Sequence, residues 1–67
     1  MPHVLITMLK GRTAEQKRRM AERITEAIVE EGKVGRDRVN VCFVEVEGDS
    51  YSRAGVMLSE SMNVPKG

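Results

Sequence analysis

Two β-prone runs separated by one helical pattern constrain the fold of this chain more than any other feature. The runs His3 to Leu9 (HVLITML) and Val39 to Val46 (VNVCFVEV) are rich in β-branched and other apolar residues. The first run lacks the wide polar face of a strand that has one side in water, so both of its faces are expected to be covered. Consecutive strand, helix and strand elements form a right-handed crossover, which makes the two strands parallel.

The segment between the two strands carries the signals of one amphipathic helix. Thr13 and Gln16 fit the S/T-x-x-E/Q capping box at its start. Gly32 is placed to adopt the left-handed conformation that ends a helix. Five apolar residues share the three-and-four spacing of one buried stripe, which is expected to cover one face of the sheet: Met20, Ala21, Ile24, Ala27 and Ile28.

Beyond the second strand the sequence predicts only small elements. A turn at Gly48 and Asp49 leads into a segment from Tyr51 to Leu58 that is expected to form a short hairpin, and Ser61 to Gly67 is expected to be loosely held. Residues 1–67 are therefore predicted to form one domain of the α+β class. It is a single β-α-β unit with two parallel strands, one helix and a short C-terminal hairpin.

A chain of 67 residues buries too small a core to be stable without help. Cys42 is the only cysteine, so no disulfide forms within the chain, and a single thiol without a signal peptide indicates a reducing compartment. His3 is the only histidine, and no Cys/His spacing predicts a zinc site or another metal site. We therefore expect a homo-oligomer that packs aliphatic strand faces between subunits.

The charge of the chain argues against several classes of partner. Eleven basic and ten acidic residues are interspersed and leave a formal net charge of +1, which gives no strong field for nucleic acid or an anionic membrane. No apolar stretch of membrane-spanning length and no secretory signal pattern occurs in the sequence. The expected location is the cytoplasm.

Pro2 is the first candidate for chemistry, because a small residue after the initiator methionine normally allows Met1 to be removed. The exposed secondary amine would then move protons or attack a carbonyl, whereas the amide nitrogen of an internal proline is inert. Burial beside apolar residues and near a cation would lower the pKa of this amine toward neutrality. On its own, Pro2 is equally compatible with a residue that only begins a strand.

Arg12 is the second candidate, since it lies between the first strand and the start of the helix, where backbone amides favour anions. Its guanidinium matches the geometry of a carboxylate. Taken alone, Arg12 is also compatible with a solvated loop charge, as are Arg38 and Arg53. Cys42 is interpreted as small core packing rather than a nucleophile, and His3 as a structural or exposed residue.

Five stretches of the chain form a recognisable combination: the Met-Pro opening, Leu9 to Thr13, Glu15 to Lys17, the strand Val39 to Val46 and the hairpin Gly48 to Gly55. Together they resemble the short subunits of the 4-oxalocrotonate tautomerase family, and the resemblance covers nearly the whole chain. It implies a hexamer built as a trimer of dimers and a cofactor-independent keto-enol isomerisation, with Pro2 as general base and Arg12 binding a substrate carboxylate. The implied substrate is a small carboxylate-bearing enol, of the kind met in aromatic degradation.

The chain departs from the family pattern at two positions. Asn40 stands where well-studied members have a second arginine that polarises the substrate carbonyl, and an amide donates a hydrogen bond without a charge. Tyr51 stands where phenylalanine commonly forms an apolar wall. Arg38 or Arg53 is an alternative source of the missing cation. The predicted substrates are 2-hydroxy-dienoate or arylpyruvate enols, with Asn40 and Tyr51 from a neighbouring subunit shaping the carbonyl end.

Other functions remain open at this point. Related hydration, dehalogenation or decarboxylation chemistry would reuse the proline and change few other residues. The sequence Gly32-Lys33-Val34-Gly35 formally matches the GxxG loop that holds a nucleic-acid backbone. That loop joins two helices, however, whereas these glycines lead from a helix into a strand. A nucleic-acid-binding or interaction module without catalysis is thus the alternative.

Overall fold

The computed structural model describes residues 1–61 and confirms the predicted β-α-β unit. Strand β1 (His3–Leu9) and strand β2 (Asn40–Val46) pair in parallel, with His3 opposite Asn40 and Leu9 opposite Val46. Helix α1 (Ala14–Gly32) connects them. The second strand begins one residue later than predicted because Val39 closes a 3-10 turn, donating its N–H to the carbonyl of Arg36 at 3.2 Å.

The predicted start of α1 is confirmed, and the predicted end of α1 differs by one residue. The capping box is present, since Gln16 N donates to Thr13 Oγ1 at 3.1 Å and Thr13 N donates to Gln16 Oε1 at 2.9 Å. The predicted left-handed cap at Gly32 is wrong. Gly32 is the last helical residue, and Lys33 adopts the left-handed conformation (φ 57°) while donating its N–H to Val29 at 3.1 Å. A residue without a branched Cβ tolerates this conformation at modest cost.

The stripe of α1 that faces the sheet is rotated from the predicted one. Met20, Ala21, Ile24 and Ile28 are half-buried as expected, but Ala27 is exposed. At 3.6 residues per turn Ala27 falls at one margin of the half-buried stripe, where it remains exposed. Residues at the opposite margin of the stripe are half-buried instead. The residues that extend the stripe on that side are Thr25 and Val29.

The two faces of the β1–β2 sheet differ sharply in burial. On the face toward α1 the side chains are half-buried, whereas those of the opposite face are exposed, including Leu5 at 60% and Val44 at 40%. Among the described residues Leu58 alone is buried, with 7% of its surface exposed. The Cα radius of gyration is 14.8 Å, against about 11 Å for a compact domain of this length. Within one chain, therefore, only one sheet face is covered.

The C-terminal part forms the predicted hairpin and one element that was not predicted. Strands β3 (Ser52–Arg53) and β4 (Val56–Met57) pair antiparallel around a turn in which Ala54 and Gly55 both have positive φ. A 3-10 turn at Gly48–Ser50 precedes this hairpin, and the short helix α2 (Leu58–Ser61) follows it. The interpretation of the tail falls mainly on residues 62–67, outside the described residues. No helix in residues 1–61 has the length and apolarity needed to span a bilayer.

Candidate active site

The four candidate site residues lie at the two opposite ends of the strands in the β1–β2 sheet. Because the strands are parallel, both begin at the same end of the sheet, called the amino edge, and both finish at the other end, called the carboxyl edge. Pro2 directly precedes β1, and Asn40 begins β2 at the amino edge. Arg12 follows the end of β1, and Tyr51 follows the end of β2, after the 3-10 turn.

At the amino edge, the backbone holds Pro2 next to Asn40. The N–H of Asn40 donates to the carbonyl oxygen of Pro2 at 3.0 Å, which extends the strand ladder by one residue. Pro2 only has to accept in this position, so its missing N–H costs no ladder hydrogen bond. Pro2 is half-buried, and Met1 is 86% exposed. The first proline is thus fixed in place while the residue before it projects into solvent.

The side chain of Asn40 lies on the exposed face of the sheet, like that of His3 opposite it. Its Nδ2 makes a long hydrogen bond of 3.4 Å to the carbonyl oxygen of Arg38. Arg38 belongs to the 3-10 turn Arg36–Arg38, so the strand alternation that would align it with Asn40 does not apply. Arg53 lies on β3 in the hairpin. Both alternative cations are therefore on elements other than the strand that carries Asn40.

At the carboxyl edge, a tight link places Arg12 at the N-terminus of α1. Gly11 has φ 129°, a conformation that L-residues rarely adopt, and Arg12 comes directly before the cap residue Thr13. The N–H of Lys10 donates to the carbonyl of Val46 at 3.0 Å and so continues the ladder beyond β1. The Arg12 side chain is exposed. Arg12 therefore lies at a helix start, a setting that favours a bound anion such as a carboxylate.

Two ion pairs join this link and α1 to β2 and to the residue that follows it. Lys10 Nζ lies 2.7 Å from Glu47 Oε2, and Lys17 Nζ lies 3.0 Å from Glu45 Oε1. The hydrogen bond with Glu47, and then the negative charge of that carboxylate, raise the pKa of Lys10 above its ordinary value. Sequence reasoning missed both pairs. The available signal was Glu45, a single carboxylate within the apolar run of β2 on the face that α1 covers.

Tyr51 is anchored by its backbone and leaves its ring partly open. Its carbonyl oxygen accepts a hydrogen bond from the N–H of Leu58 at 2.9 Å, which closes the base of the hairpin. The residue is 41% exposed. An amphipathic ring held in this way can offer an apolar wall together with a hydroxyl donor.

The distance between the two edges decides which residues one chain can bring together. Strand β1 has seven residues, and at about 3.3 Å per residue it separates its two ends by roughly 23 Å. Pro2 and Asn40 are therefore neighbours, whereas Arg12 lies far from both within the same chain. A small substrate that contacts Pro2 and Arg12 at once requires Arg12 from another copy.

The structure also places the remaining residues that the sequence singled out. Cys42 lies on the exposed sheet face and is exposed, so it does not pack in a core of the single chain as predicted. His3 is exposed, as expected. Residues 1–61 contain no group of three or more His, Cys, Asp or Glu side chains able to hold a metal ion. The GxxG sequence leads from α1 through the 3-10 turn into β2.

Comparisons with known proteins point to one family. A family model described as "Tautomerase enzyme" matches residues 2–61. A relative from Bacillus subtilis (strain 168), named 2-hydroxymuconate tautomerase, is 42% identical over 60 residues, covering 90% of this chain and 97% of the relative. The crystal structure of YwhB, a homologue of 4-oxalocrotonate tautomerase, is similar with a TM-score of 0.87 and 39% identity, covering 91% of this chain and all of that one.

A heterohexameric 4-oxalocrotonate tautomerase from Chloroflexus aurantiacus J-10-fl has a TM-score of 0.87 and 29% identity, with coverage of 92% and 100%. The shared parallel β-α-β unit defines a class of small tautomerase subunits. This chain belongs to the tautomerase family, and it is an isomerase.

Proposed function

We propose that this protein is a cofactor-independent keto-enol tautomerase in which Pro2, freed by removal of Met1, is the general base. The proposed substrates are small 2-hydroxy-dienoate or arylpyruvate enols, the first in keeping with the name of the 2-hydroxymuconate tautomerase relative. The observation that carries the proposal is the position of Pro2 in a chain of this family. It is half-buried, fixed by its carbonyl in the ladder with β2, and preceded by an exposed methionine.

The proposed reaction moves one proton and needs no redox partner. The neutral secondary amine of Pro2 accepts the proton of the enol hydroxyl, and the oxygen electron pair forms the carbonyl as the carbon–carbon double bond shifts. The resulting ammonium returns a proton to carbon at the other end of the shifted electrons. Substrate and product therefore have the same atoms and the same charge. The base is regenerated in each turnover.

Arg12 is proposed to bind the substrate carboxylate from a second copy of the chain, because one chain separates it from Pro2 by the length of β1. The exposed sheet face with Leu5 and Val44 supports an oligomer, since such apolar area is stabilised by burial between subunits. We propose a homohexamer arranged as a trimer of dimers. The heterohexameric relative is consistent with six subunits of this fold assembling.

Asn40 and Tyr51 are proposed to shape the carbonyl end of the substrate with neutral donors. The backbone N–H of Asn40 bonds to Pro2 within one chain, whereas its side-chain amide is proposed to act in the site of a neighbouring subunit. The Tyr51 hydroxyl would reach the site from another subunit. A neutral donor stabilises a developing enolate less than a cation does in a dry site. We further propose a cytoplasmic enzyme without a nucleic-acid or membrane partner.

The proposal is tested with enol substrates and protein whose N-terminus has been verified by intact mass. We expect protein lacking Met1 to convert 2-hydroxymuconate or an arylpyruvate enol. The conversion is measured by the change in the ultraviolet absorbance of the enol. Protein that uniformly retains Met1 is the matched control, because its Pro2 nitrogen is an amide. Equal activity of the two forms would exclude Pro2 as the proton carrier.

Assembly is measured on the same samples by light scattering. A stable folded monomer at micromolar concentration that retains full activity would exclude the shared site. Salt-dependent retention on a polyanion, without conversion of any enol, would favour the nucleic-acid-binding alternative.

A further inference from the structure

The segment that carries Arg12 is attached to β2 on both sides. Before Arg12, the backbone of Lys10 bonds to Val46 and its side chain pairs with Glu47. After Arg12, the side chain of Lys17 crosses from the first turns of α1 to Glu45 on β2. Arg12 is therefore held between two cross-links to the same strand.

The two ion pairs differ in their exposure to solvent. The side chains of Lys10 and Glu47 are 61% and 60% exposed, whereas those of Lys17 and Glu45 are 28% and 27% exposed. Water screens the first pair strongly and the second pair much less. Glu45 also points to the sheet face under α1, so loss of its partner would leave a poorly hydrated carboxylate. The Lys17–Glu45 pair is thus the stronger of the two cross-links.

A short path leads from this pair to Arg12. The N–H of Lys17 donates to the carbonyl oxygen of Thr13 at 3.1 Å, and Thr13 is the residue next to Arg12. On the other side of Arg12, Gly11 has φ 129°, a conformation that L-residues rarely adopt. The turn that Lys17 anchors on β2 therefore helps to fix the backbone of Arg12 from the helix side.

We propose that Lys17 and Glu45 are positioning residues for substrate binding. Their ion pair fixes the first turns of α1 against β2 and thereby sets the position of the Arg12 guanidinium, without touching the substrate. This inference rests on the proposed function, in which Arg12 binds the carboxylate of the enol. It predicts that the pair affects carboxylate binding and leaves the proton transfer at Pro2 unchanged.

The test is steady-state kinetics with 2-hydroxymuconate on Lys17→Met, Glu45→Gln and the charge-swapped double variant Lys17→Glu with Glu45→Lys. We expect each single variant to raise KM by roughly three- to tenfold, within the range of couplings between contacting groups, with kcat and its pH profile preserved. The charge swap should restore KM toward the parent value. Glu22→Gln is the matched control, because Glu22 pairs with Arg18 on the exposed side of α1 and should leave KM unchanged.

The combination with Arg12→Ala separates positioning from general stability. In that background, Glu45→Gln should have no further effect on KM, because the group it positions is gone. An equal rise of KM with and without Arg12 would overturn the inference, as would a folded charge swap whose KM stays high. If Arg12→Ala raises KM but Glu45→Gln does not, only the positioning role fails. If Arg12→Ala itself leaves KM unchanged, the proposed carboxylate-binding role fails.

Discussion

The amino and carboxyl edges of the β1–β2 sheet are built in different ways. At the amino edge, Pro2 and Asn40 are joined through a backbone hydrogen bond, and no ion pair links described residues there. At the carboxyl edge, two lysine–glutamate pairs surround the segment of Arg12. The difference separates two tasks, because a neutral amine base requires surroundings that do not favour its charged form, whereas binding a carboxylate requires a fixed cation. In the proposed mechanism each task belongs to its own edge, and assembly of several chains would bring the two edges together.

The largest effect is expected from the amino edge. Pro2→Ala keeps a free amine after Met1 removal but makes it primary and more flexible. We expect kcat to fall by about 10²- to 10⁴-fold, the usual contribution of a positioned acid or base, with KM nearly unchanged. The low-pH limb of the rate profile should also shift, because a different amine titrates. Kinetics over a pH series measure both quantities, and an unchanged kcat and pH profile would refute the role of Pro2.

The carboxyl edge should respond in KM instead. Arg12→Ala removes a charge-assisted hydrogen bond that is present in both the ground state and the transition state. We expect KM to rise by about 10- to 100-fold, since hydrogen bonds to charged groups contribute about 1.5–3 kcal/mol. Arg12→Lys keeps the charge without the planar guanidinium and should recover part of the loss. A fall in kcat with constant KM would contradict the division between the two edges.

These expectations show how far the sequence alone could go. Both strands, the capping box of Thr13 and the hairpin were predicted within a residue or two, because strand propensity, caps and turns are local signals. The rotation of α1 that exposes Ala27, the exposure of Cys42, and helix α2 depend on packing, which local pattern does not specify.

The candidate site was predictable as a set of residues but not as a geometry. Pro2 and Arg12 were candidates from their own positions in the chain, and Asn40 and Tyr51 followed from the resemblance to a family. The separation of these residues onto two edges follows from the parallel register. The Lys17–Glu45 ion pair joins residues 28 positions apart in the chain, so no periodicity could reveal it.

The third prediction makes the amino edge more like the carboxyl edge. Asn40→Arg adds a cation at the amino edge. If Asn40 occupies the polarising position, this cation should raise kcat/KM for the dicarboxylate 2-hydroxymuconate by about tenfold, or about 1.4 kcal/mol of barrier. The gain should be smaller for an arylpyruvate enol, which has one carboxylate. Asn40→Gln is the uncharged control. If the added cation left kcat/KM unchanged, only the proposed position of Asn40 at the substrate carbonyl would be refuted. Pro2 and Arg12 would keep their proposed roles.

The smallest effect is expected from removing the exposed ion pair between Lys10 and Glu47 at the carboxyl edge. Since the hydrogen bond and charge of Glu47 raise the pKa of Lys10 above its ordinary value of 10.5, the charged lysine stabilises the folded chain below that pH. This contribution is lost as the pH rises through the higher folded-state pKa. Lys10→Met should therefore lower the unfolding temperature slightly at neutral pH and low salt, and the difference should vanish at strongly alkaline pH or high salt.

Thermal unfolding of the parent and Lys10→Met over a pH and salt series measures this difference, with Lys17→Met as the comparison. The Lys17–Glu45 pair is less exposed, so its loss should cost more stability and remain visible at high salt. The Lys10 variant could instead lose more stability than the Lys17 variant, by the same amount at every salt concentration. Solvent exposure would then not determine how much each of the two ion pairs contributes to stability. The attachment of the Arg12 segment would then depend mainly on its Lys10 side, next to β1, rather than on α1.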